Sequence, residues 1–420
     1  MAQTKSLQQH LEQEAAAQGG WLAFDQFMQA ALLHPQGGYY ARTDRAAGPF
    51  GAAGDFQTAP EMGPWMGYAV AQSFRRLTQQ MGPSLSILEV GPGTGALAAQ
   101  VLIALAEWNC LPKTYWLDEP SAHLRALQRA TLHTALSRRA DGAALWSRLA
   151  WVGETAPHTP SAQDASQALS LRGLVLAHEV FDALPVKRLE WRGPMANRLD
   201  EVLEWGVVWD ASESRWQWSP RIANESLSGM VRARALAAQA WGGWARGHLC
   251  EVAPGLEDFI KSLWRPLASG LMLVVDYGYE QHELDHPDRH RGTLAAYSQH
   301  RRLDDPNDWI HEPGSRDLTA HVDFTQLAKH LSGLGASALS LKSQAAWLLD
   351  QDILSLAQDM IFPAPGDLGR VPKDPQRLRA LSDLQTLLSD SAMGQTFSVL
   401  SAFKLPSEPG QPTGPHGQRD

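Results

Sequence analysis

Residues 86–95 read Ser-Ile-Leu-Glu-Val-Gly-Pro-Gly-Thr-Gly, an apolar run that leads directly into three glycines. The apolar run, Ser86–Val90, predicts a strand, and the alanine- and leucine-rich stretch Ala96–Trp108 predicts a helix after the glycines. Glycines between a strand and a helix let the backbone approach a ligand closely, and the start of the helix leaves amide groups unpaired. This stretch therefore predicts a ligand-binding turn.

The same alternation of strand and helix continues along the chain. It predicts a helix at 122–136 and further strands at 114–118, 149–152, 173–177, 271–277 and 397–403. Apolar strands separated by helices are typical of a parallel sheet that is covered by helices on both faces. The sequence therefore predicts the α/β class.

The remaining segments predict additions to this sheet. Residues 1–80 are predicted to form a helical and glycine-rich cap region, with helices at 7–17, 21–33 and 62–79. Residues 81–404 are predicted to form the sheet domain. It carries a tryptophan-rich hairpin and helix inserted at about 186–250 and a charged, loop-like insertion at about 280–330. The Pro- and Gly-rich tail, 405–420, is predicted to be disordered.

Composition and charge exclude several classes of protein. The 420 residues carry a formal net charge of −9, whereas nucleic-acid binders usually present a dominant basic surface. No apolar run approaches the roughly 18 residues of a membrane span, and two cysteines without a CxxC spacing predict neither zinc nor a disulfide framework. The N-terminus shows no secretory signal. We therefore predict a cytoplasmic protein without a nucleic-acid partner or a membrane span.

The glycine turn is compatible with two ligands, a dinucleotide such as NAD(P) and S-adenosylmethionine. The second predicted strand ends in Asp118-Glu119-Pro120, and a carboxylate there can accept both hydroxyls of a ribose, which indicates a nucleoside. Gly91-x-Gly93-x-x-Ala96 also matches the dinucleotide fingerprint. However, Glu89 would place a carboxylate beside a pyrophosphate, an unfavourable like-charge pairing. S-adenosylmethionine carries an ammonium and a sulfonium and no phosphate, so the pattern favours this methyl donor over NAD(P).

A second set of polar residues follows the fourth predicted strand. His178-Glu179 and Asp182 come directly after the apolar run that ends at Ala177. In an open α/β sheet, ligands bind outside the carboxyl ends of the strands. A helix cap at Asp182 with one solvated acid is the structural alternative, but the glycine turn at the same sheet edge favours a functional site.

Several motifs together resemble the MidA-like family of class I methyltransferases, from about Gly37 to Lys404. They are Gly54-Asp-Phe-Gln-Thr-Ala-Pro-Glu61, Glu89–Gly95, Glu179–Pro185, Asp276-Tyr-Gly-Tyr279, Asp317-Leu-Thr-Ala-His-Val-Asp-Phe324 and Met393-Gly-Gln-Thr-Phe397. The resemblance implies a Rossmann-like sheet with helical and loop additions, and S-adenosylmethionine as cofactor. It also implies arginine methylation of a protein partner. Mitochondrial members are implicated in assembling respiratory complex I, so a subunit of that complex is the implied acceptor, and a eukaryotic chain would be mitochondrial.

The sequence departs from the family pattern at three places. His178 stands where asparagine is usual, Thr94 stands where arginine is common, and Trp151–Glu154 lacks the usual acid after the third strand. The last of these leaves the adenine contact unassigned.

We assign the predicted site residues by role. Cofactor contacts are predicted for Glu89, Gly91, Pro92, Gly93, Thr94, Gly95 and Glu119, and the resemblance adds Gly54, Asp55 and Thr58. Bidentate carboxylates orient a guanidinium well, so Glu179 and Asp182 are the predicted catalytic residues, with Asp55 and Glu61 next. His178 is a predicted proton acceptor.

The sequence predicts no metal site, and it leaves two alternatives to a methyltransferase. The spacing of Asp317, His321 and Asp323 suits a turn or helix cap better than a metal site, and methyl transfer needs no metal, so none is predicted. The alternative functions are a non-catalytic assembly factor, in which the tryptophans form a binding surface, and an NAD(P)-dependent oxidoreductase.

Overall fold

A computed structural model describes residues 6–42, 58–154, 170–193, 201–299, 301–362, 372 and 374–406. The glycine-rich stretch around Gly54 and the tail beyond residue 406 lie outside these residues. Within them the helices are α1 (Leu7–Ala17), α2 (Phe24–Leu33), α3 (Ala59–Met62), α4 (Trp65–Met81), α5 (Ala96–Glu107), α6 (Ala122–Leu136), α7 (Gly142–Trp146), α8 (Glu225–Ala237), α9 (Leu256–Trp264), α10 (Gln281–Leu284), α11 (Pro306–Ile310), α12 (Phe324–Gly333), α13 (Gln344–Asp350), α14 (Ile353–Ile361), α15 (Pro375–Leu388) and α16 (Met393–Thr396).

The strands are β1 (Trp21–Ala23), β2 (Ser86–Val90), β3 (Tyr115–Asp118), β4 (Leu149–Trp151), β5 (Leu171–His178), β6 (Lys187–Trp191), β7 (Val202–Asp210), β8 (Arg215–Ile222), β9 (His248–Val252), β10 (Leu267–Tyr279), β11 (Ala295–Ser298), β12 (Arg301–Arg302), β13 (Asp317–Thr319), β14 (Val322–Asp323), β15 (Ala338–Ser343) and β16 (Phe397–Lys404). Short 3-10 helices lie at Tyr39–Ala41, Ala238–Trp241 and Pro287–Arg289.

The main sheet has the order β15-β16-β10-β5-β2-β3-β4, and β14 extends it beside β10. Neighbouring strands from β10 to β4 are parallel, whereas β16 is antiparallel to both β10 and β15. The chain runs outward from β2 to β3 and β4 and then returns to the other side of β2 as β5. The crevice between the carboxyl ends of β2 and β5 is thus the point at which an α/β sheet binds ligands.

Both faces of this sheet are covered, which confirms the predicted α/β class. Leu174 and Leu176 of β5 pack on the side of α4, α5 and α13 to α15. Val175 and Ala177, which alternate with them, pack on the opposite side with α9 and α12. Strands buried on both faces read as continuous apolar runs, and this is why these strands could be predicted.

A second sheet has the order β1-β7-β6-β9, with β8 beside β7, and all its pairs are antiparallel. The predicted hairpin at 186–250 is confirmed as β6 and β7, and its helix as α8. The strands β8 and β9 were not predicted. Helices α1 and α2 share a hydrophobic cluster with this sheet.

The helix predicted over 21–33 is wrong at its start, because Trp21–Ala23 forms β1. The indole Nε1 of Trp21 donates to the Ser219 carbonyl at 2.8 Å, and the Arg221 guanidinium lies 3.5 Å from the indole ring centroid. Gly206 makes room for the indole, since a Cβ there would lie 2.3 Å from its ring. Pairing with distant residues thus overrides the local helical periodicity.

The prediction that 280–330 is loop-like is also wrong. This segment contains α10, α11 and a three-stranded sheet of order β12-β11-β13, and it then returns to the main sheet as β14. Its strands have two to four residues each, which is too short for a periodic pattern to show. The division at residue 80 and the bounds of the two insertions stay predictions.

No helix in the part of the chain that the structure describes is both long and apolar enough to cross a membrane.

Candidate functional site

The glycine turn between β2 and α5 has a left-handed backbone. Gly91, Gly93 and Gly95 have φ angles of +59°, +52° and +84°, which residues with a Cβ rarely adopt. A Cβ at Gly91 would lie 3.0 Å from Cγ2 of Val180, and one at Gly95 would lie 3.3 Å from Cα of Gln128. The turn therefore needs glycine both for its backbone angles and for its close packing.

Gln128 of α6 holds the turn on the side away from the cavity, and no sequence pattern indicated this role. Its Nε2 donates to the Gly93 carbonyl at 3.0 Å and to Glu119 at 3.4 Å, and its Oε1 accepts from Nε1 of Trp151 at 2.9 Å. The side chain is fully buried. Its Nε2 faces two acceptors and its Oε1 faces a donor, so both ends of the amide are satisfied. Gln128 thus fixes the turn relative to the ends of β3 and β4.

Glu119 lies at the end of β3, as the ribose hypothesis requires. Its carboxylate accepts from the Ser121 amide at 2.8 Å, and burial raises its pKa to about 7. A carboxylate offers about four lone-pair positions. The Ser121 amide and Nε2 of Gln128 are the two donors that it binds, so acceptor capacity is left for ligand hydroxyls.

Glu89 lies at the end of β2 and is buried. The hydroxyl of Tyr115 donates to its Oε2 at 2.8 Å, and burial raises its pKa to about 7. Without a positive ligand nearby, the ionised form of Glu89 is therefore unfavourable.

Glu89 is expected to make the ligand-free protein less stable as the pH rises from 5 to 8. Its pKa in the fold, about 7, exceeds the ordinary 4.5, so between these values the folded chain holds a proton that the unfolded chain has lost. The resulting loss is about 3 kcal/mol, since one pKa unit corresponds to about 1.4 kcal/mol.

Glu89→Gln should remove this part of the pH dependence, because glutamine still accepts the Tyr115 hydrogen bond but carries no charge. The measurement is urea unfolding of both proteins at several pH values, with exposed Glu14→Gln as control. If the wild type and Glu89→Gln show the same pH dependence, Glu89 does not titrate as described.

The second set of predicted residues lies at the end of β5. Glu179 is half-buried, with 15% of its side chain exposed, and its pKa is raised well above the ordinary value by desolvation and by the charges of Asp182 and Asp317. Burial raises the pKa of Asp182 to about 6, and the hydroxyl of Tyr277 donates to its carboxylate. Burial lowers the pKa of His178 to about 4, so this imidazole is neutral at pH 7.

Tyr40 and Asp317 belong to the same region, although the sequence indicated neither as an acceptor-side residue. The Tyr40 hydroxyl donates to Oδ1 of Asp317 at 2.9 Å, and the Tyr40 carbonyl accepts from Oγ of Ser121 at 3.0 Å. Tyr40 therefore connects the end of β3 with the start of β13. The family motif that begins at Asp317 was the signal that could have found this acid.

The other members of that motif have separate positions. The His321 ring packs against the rings of Tyr277 and Tyr279, at centroid distances of 5.5 and 5.3 Å. Asp323 caps α12 by accepting from the Gln326 amide at 3.0 Å. The predicted cap is thus confirmed for Asp323, while the absence of a metal stays a prediction.

The segment Thr58–Glu61 docks onto the glycine turn and α5. Thr94 donates from its hydroxyl to Glu61, and Nε2 of Gln100 donates to the Pro60 carbonyl at 2.7 Å. Thr58 is buried and lines the same cavity as the glycine turn. Gly54 and Asp55, predicted as cofactor contacts, lie outside the described residues.

One cavity of about 1070 Å³ joins these groups. The predicted residues that line it are Thr58, Glu61, Glu89, Gly91, Pro92, Gly93, Thr94, Glu119, His178, Glu179 and Asp182. Gly95 is not among the lining residues, because it begins α5 behind the turn.

The cavity wall is acidic. It contains the carboxyl groups of Glu61, Glu89, Asp118, Glu119, Glu179, Asp182 and Asp317, and no lysine or arginine among the described lining residues. Such a wall attracts an ammonium, a sulfonium or a guanidinium and repels a pyrophosphate. The residues present therefore fit S-adenosylmethionine and do not fit a dinucleotide.

Comparison with known proteins agrees with this chemistry. Residues 67–341 match a family model described as "Putative S-adenosyl-L-methionine-dependent methyltransferase". The chain is 27% identical to the mouse protein named Protein arginine methyltransferase NDUFAF7, mitochondrial, over 90% of this chain and 80% of that protein. The zebrafish protein of the same name is also 27% identical, over 96% and 88%.

A solved structure resembles nearly the whole chain. It is a crystal structure from Burkholderia thailandensis with S-adenosyl-homocysteine bound, and its sequence is 28% identical. The TM-score is 0.78, and the match covers 95% of this chain and 92% of that one.

Proposed function

The chain belongs to the family of S-adenosyl-L-methionine-dependent methyltransferases, and we propose that it methylates a guanidinium nitrogen of an arginine side chain in a protein. Its cofactor is S-adenosylmethionine. The observation that carries the proposal is the continuity of one acidic cavity from the glycine turn to the carboxyl groups of Glu179 and Asp182. The names of the mouse and zebrafish relatives support arginine as the acceptor.

In this proposal the ends of β2 and β3 hold the donor. The turn of Gly91, Gly93 and Gly95, with Pro92 and Thr94, binds the methionine end, where Glu89 attracts the ammonium. Glu119 accepts hydrogen bonds from the ribose hydroxyls. When bound, S-adenosylmethionine supplies an already activated methyl group, so the chain contributes mainly alignment and charge.

Glu179 and Asp182 bind the acceptor. Arginine stays cationic at ordinary pH and presents five N–H donors in a plane, and paired carboxylates orient such a group. The raised pKa values of these two acids support the assignment. Ions of like charge held together in a buried place are stabilised by an entering cation, so guanidinium binding favours their ionised forms.

The transfer requires one proton to leave the acceptor. A nitrogen–carbon bond forms, the carbon–sulfur bond breaks with its electron pair going to sulfur, and the methylated nitrogen gives up a proton. His178 is neutral at pH 7, and among the described residues its buried Nε2 has no hydrogen-bond partner. We assign the proton to His178 or to Glu179.

The identity of the protein acceptor and its compartment remain predictions. A respiratory complex I subunit is implied by the family resemblance alone. The mouse and zebrafish relatives are named as mitochondrial, whereas the bacterial cytoplasm stays a prediction for this chain.

Labelling of a cell lysate tests the proposal. The purified protein, incubated with lysate and isotopically labelled S-adenosylmethionine, should produce labelled N-methylarginine after acid hydrolysis of the protein fraction. Heat-inactivated enzyme is the control for lysate methyltransferases. Label that appears in methyllysine or in small molecules would contradict arginine as the acceptor, and absence of new label would favour a non-catalytic assembly factor.

A further inference from the structure

Asp276, at the carboxyl end of β10, receives the backbone of the acceptor-side turn. Its Oδ2 accepts from the amides of Val180, Phe181 and Asp182 at 3.1, 2.9 and 3.3 Å, and its Oδ1 accepts from the Tyr277 amide at 2.9 Å. The side chain is completely buried. Asp276 therefore does not contact the cavity but holds the turn that lines it.

This contact fixes the conformation of Glu179. Glu179 has a left-handed backbone, with φ of +53°, and its amide donates to the Val275 carbonyl at 2.8 Å. A residue with a side chain is disfavoured in that region by about 1–2 kcal/mol, so the conformation persists only where surrounding contacts hold it. Two consecutive residues of β10 make these contacts. The Val275 carbonyl accepts from the amide of Glu179, and the Asp276 carboxylate accepts from the next three amides.

Glu179 and Asp182 differ in the acceptor capacity that they have left. The Asp182 carboxylate already accepts from the Tyr277 hydroxyl, and the backbone amides of Ala183 and of Asp182 itself lower its pKa. The Ala59 amide lowers the pKa of Glu179. The buried Oε1 of Glu179 lies 3.5 Å from Nδ1 of His178 and has no hydrogen-bond partner among the residues that the structure describes. A guanidinium that enters the cavity thus meets a Glu179 oxygen without a hydrogen-bond partner and an Asp182 carboxylate that already binds the Tyr277 hydroxyl.

We infer that Glu179 is the carboxylate that accepts the guanidinium N–H groups and that Asp276 is the positioning residue that aims it. Asp182 then acts mainly through its charge and through the Tyr277 hydroxyl. This division of roles rests on the proposed arginine methylation and deepens it. It assigns different roles to Glu179 and Asp182, which the sequence pattern assigned the same role.

A pair of bisubstrate compounds provides the test without knowledge of the protein acceptor. In both compounds an alkyl chain replaces the transferable methyl group of the cofactor, and the chain ends in a guanidinium in one and in a neutral urea of the same shape in the other. Calorimetry gives the ratio of their dissociation constants, which we define as the guanidinium gain. S-adenosylhomocysteine, measured in parallel, reports on the donor side and on folding.

The wild type should show a guanidinium gain of at least about tenfold, as expected for charge-assisted hydrogen bonds. Glu179→Gln and Asp276→Asn should reduce the gain to about onefold and leave the affinity for S-adenosylhomocysteine unchanged. In Asp276→Asn the amide group must face at least one backbone N–H, so the turn loses its hold on Glu179. Asp182→Asn should keep a gain of about threefold or more.

The outcomes separate the inference from the proposed function. No gain in the wild type would contradict guanidinium binding itself. A wild-type gain that Asp276→Asn preserves, or that Glu179→Gln and Asp182→Asn reduce equally, would overturn the division of roles. If Asp276→Asn fails to bind S-adenosylhomocysteine, the smaller Asp276→Ser replaces it. Loss of that binding in both variants would also overturn the inference, because Asp276 would then support the whole fold.

Discussion

Glu179→Gln is expected to slow arginine methylation by about 10²- to 10³-fold while S-adenosylmethionine binds as tightly as to the wild type. This is the magnitude typical of removing one preorganised charged group from a site of charge development. Glutamine has nearly the shape of glutamate, so the turn at the end of β5 should keep its form. It cannot carry the negative charge that holds the guanidinium.

Only the methylation rate should fall, and the affinity for the cofactor should not change. The rate is measured on an acceptor recovered from the lysate labelling, and cofactor affinity is measured by calorimetry. Glu257→Gln, which removes an exposed carboxylate on α9, is the matched control and should leave both values unchanged. If Glu179→Gln methylates at the wild-type rate, Glu179 does not orient the acceptor.

Gly93→Val should raise the dissociation constant for S-adenosylhomocysteine at least about 100-fold. Gly93 has φ of +52°, and its carbonyl is held by Gln128 at 3.0 Å, so the turn cannot relax freely around a new side chain. A β-branched residue is a genuine outlier in this backbone region, and about 2.7 kcal/mol of lost binding corresponds to 100-fold.

The control for Gly93→Val must carry similar backbone strain far from the cavity. Gly335 suits this purpose, since its φ is +85° and a Cβ there would meet no atom within 4 Å. Gly335→Val should lose stability in a thermal unfolding experiment and keep its affinity for S-adenosylhomocysteine. Comparable affinity loss in the two variants would mean that strain, and not the shape of the turn, weakens binding.

The sequence predicted the residues at strand ends much better than the contacts between segments. Glu89, Glu119 and Glu179 follow apolar runs buried on both faces of the sheet, and such runs mark both the strand and the place where it stops. The carboxyl ends of parallel strands meet at one edge, so these positions could be assigned to one site without knowledge of the packing.

Residues that act through distant partners could not be found in this way. Gln128 lies within an ordinary helical pattern, and its partners Gly93 and Trp151 are 35 and 23 positions away. Asp276 follows an apolar run and begins a family motif, but nothing in the sequence shows that it binds amides about 95 positions earlier. The β1 strand was missed for the same reason, since only its pairing with β7 distinguishes it from the start of α2.

The bridge formed by Tyr40 limits how far the protein can be shortened. The family model begins at residue 67 and ends at residue 341, yet Tyr40 and Phe397 both line the cavity from outside that span. A truncation to the matched region would open the cavity to water on two sides. It would also remove β1, which pairs with β7, and so leave unpaired backbone groups along β7. The smallest autonomous catalytic unit is therefore considerably larger than the segment by which the family is recognised.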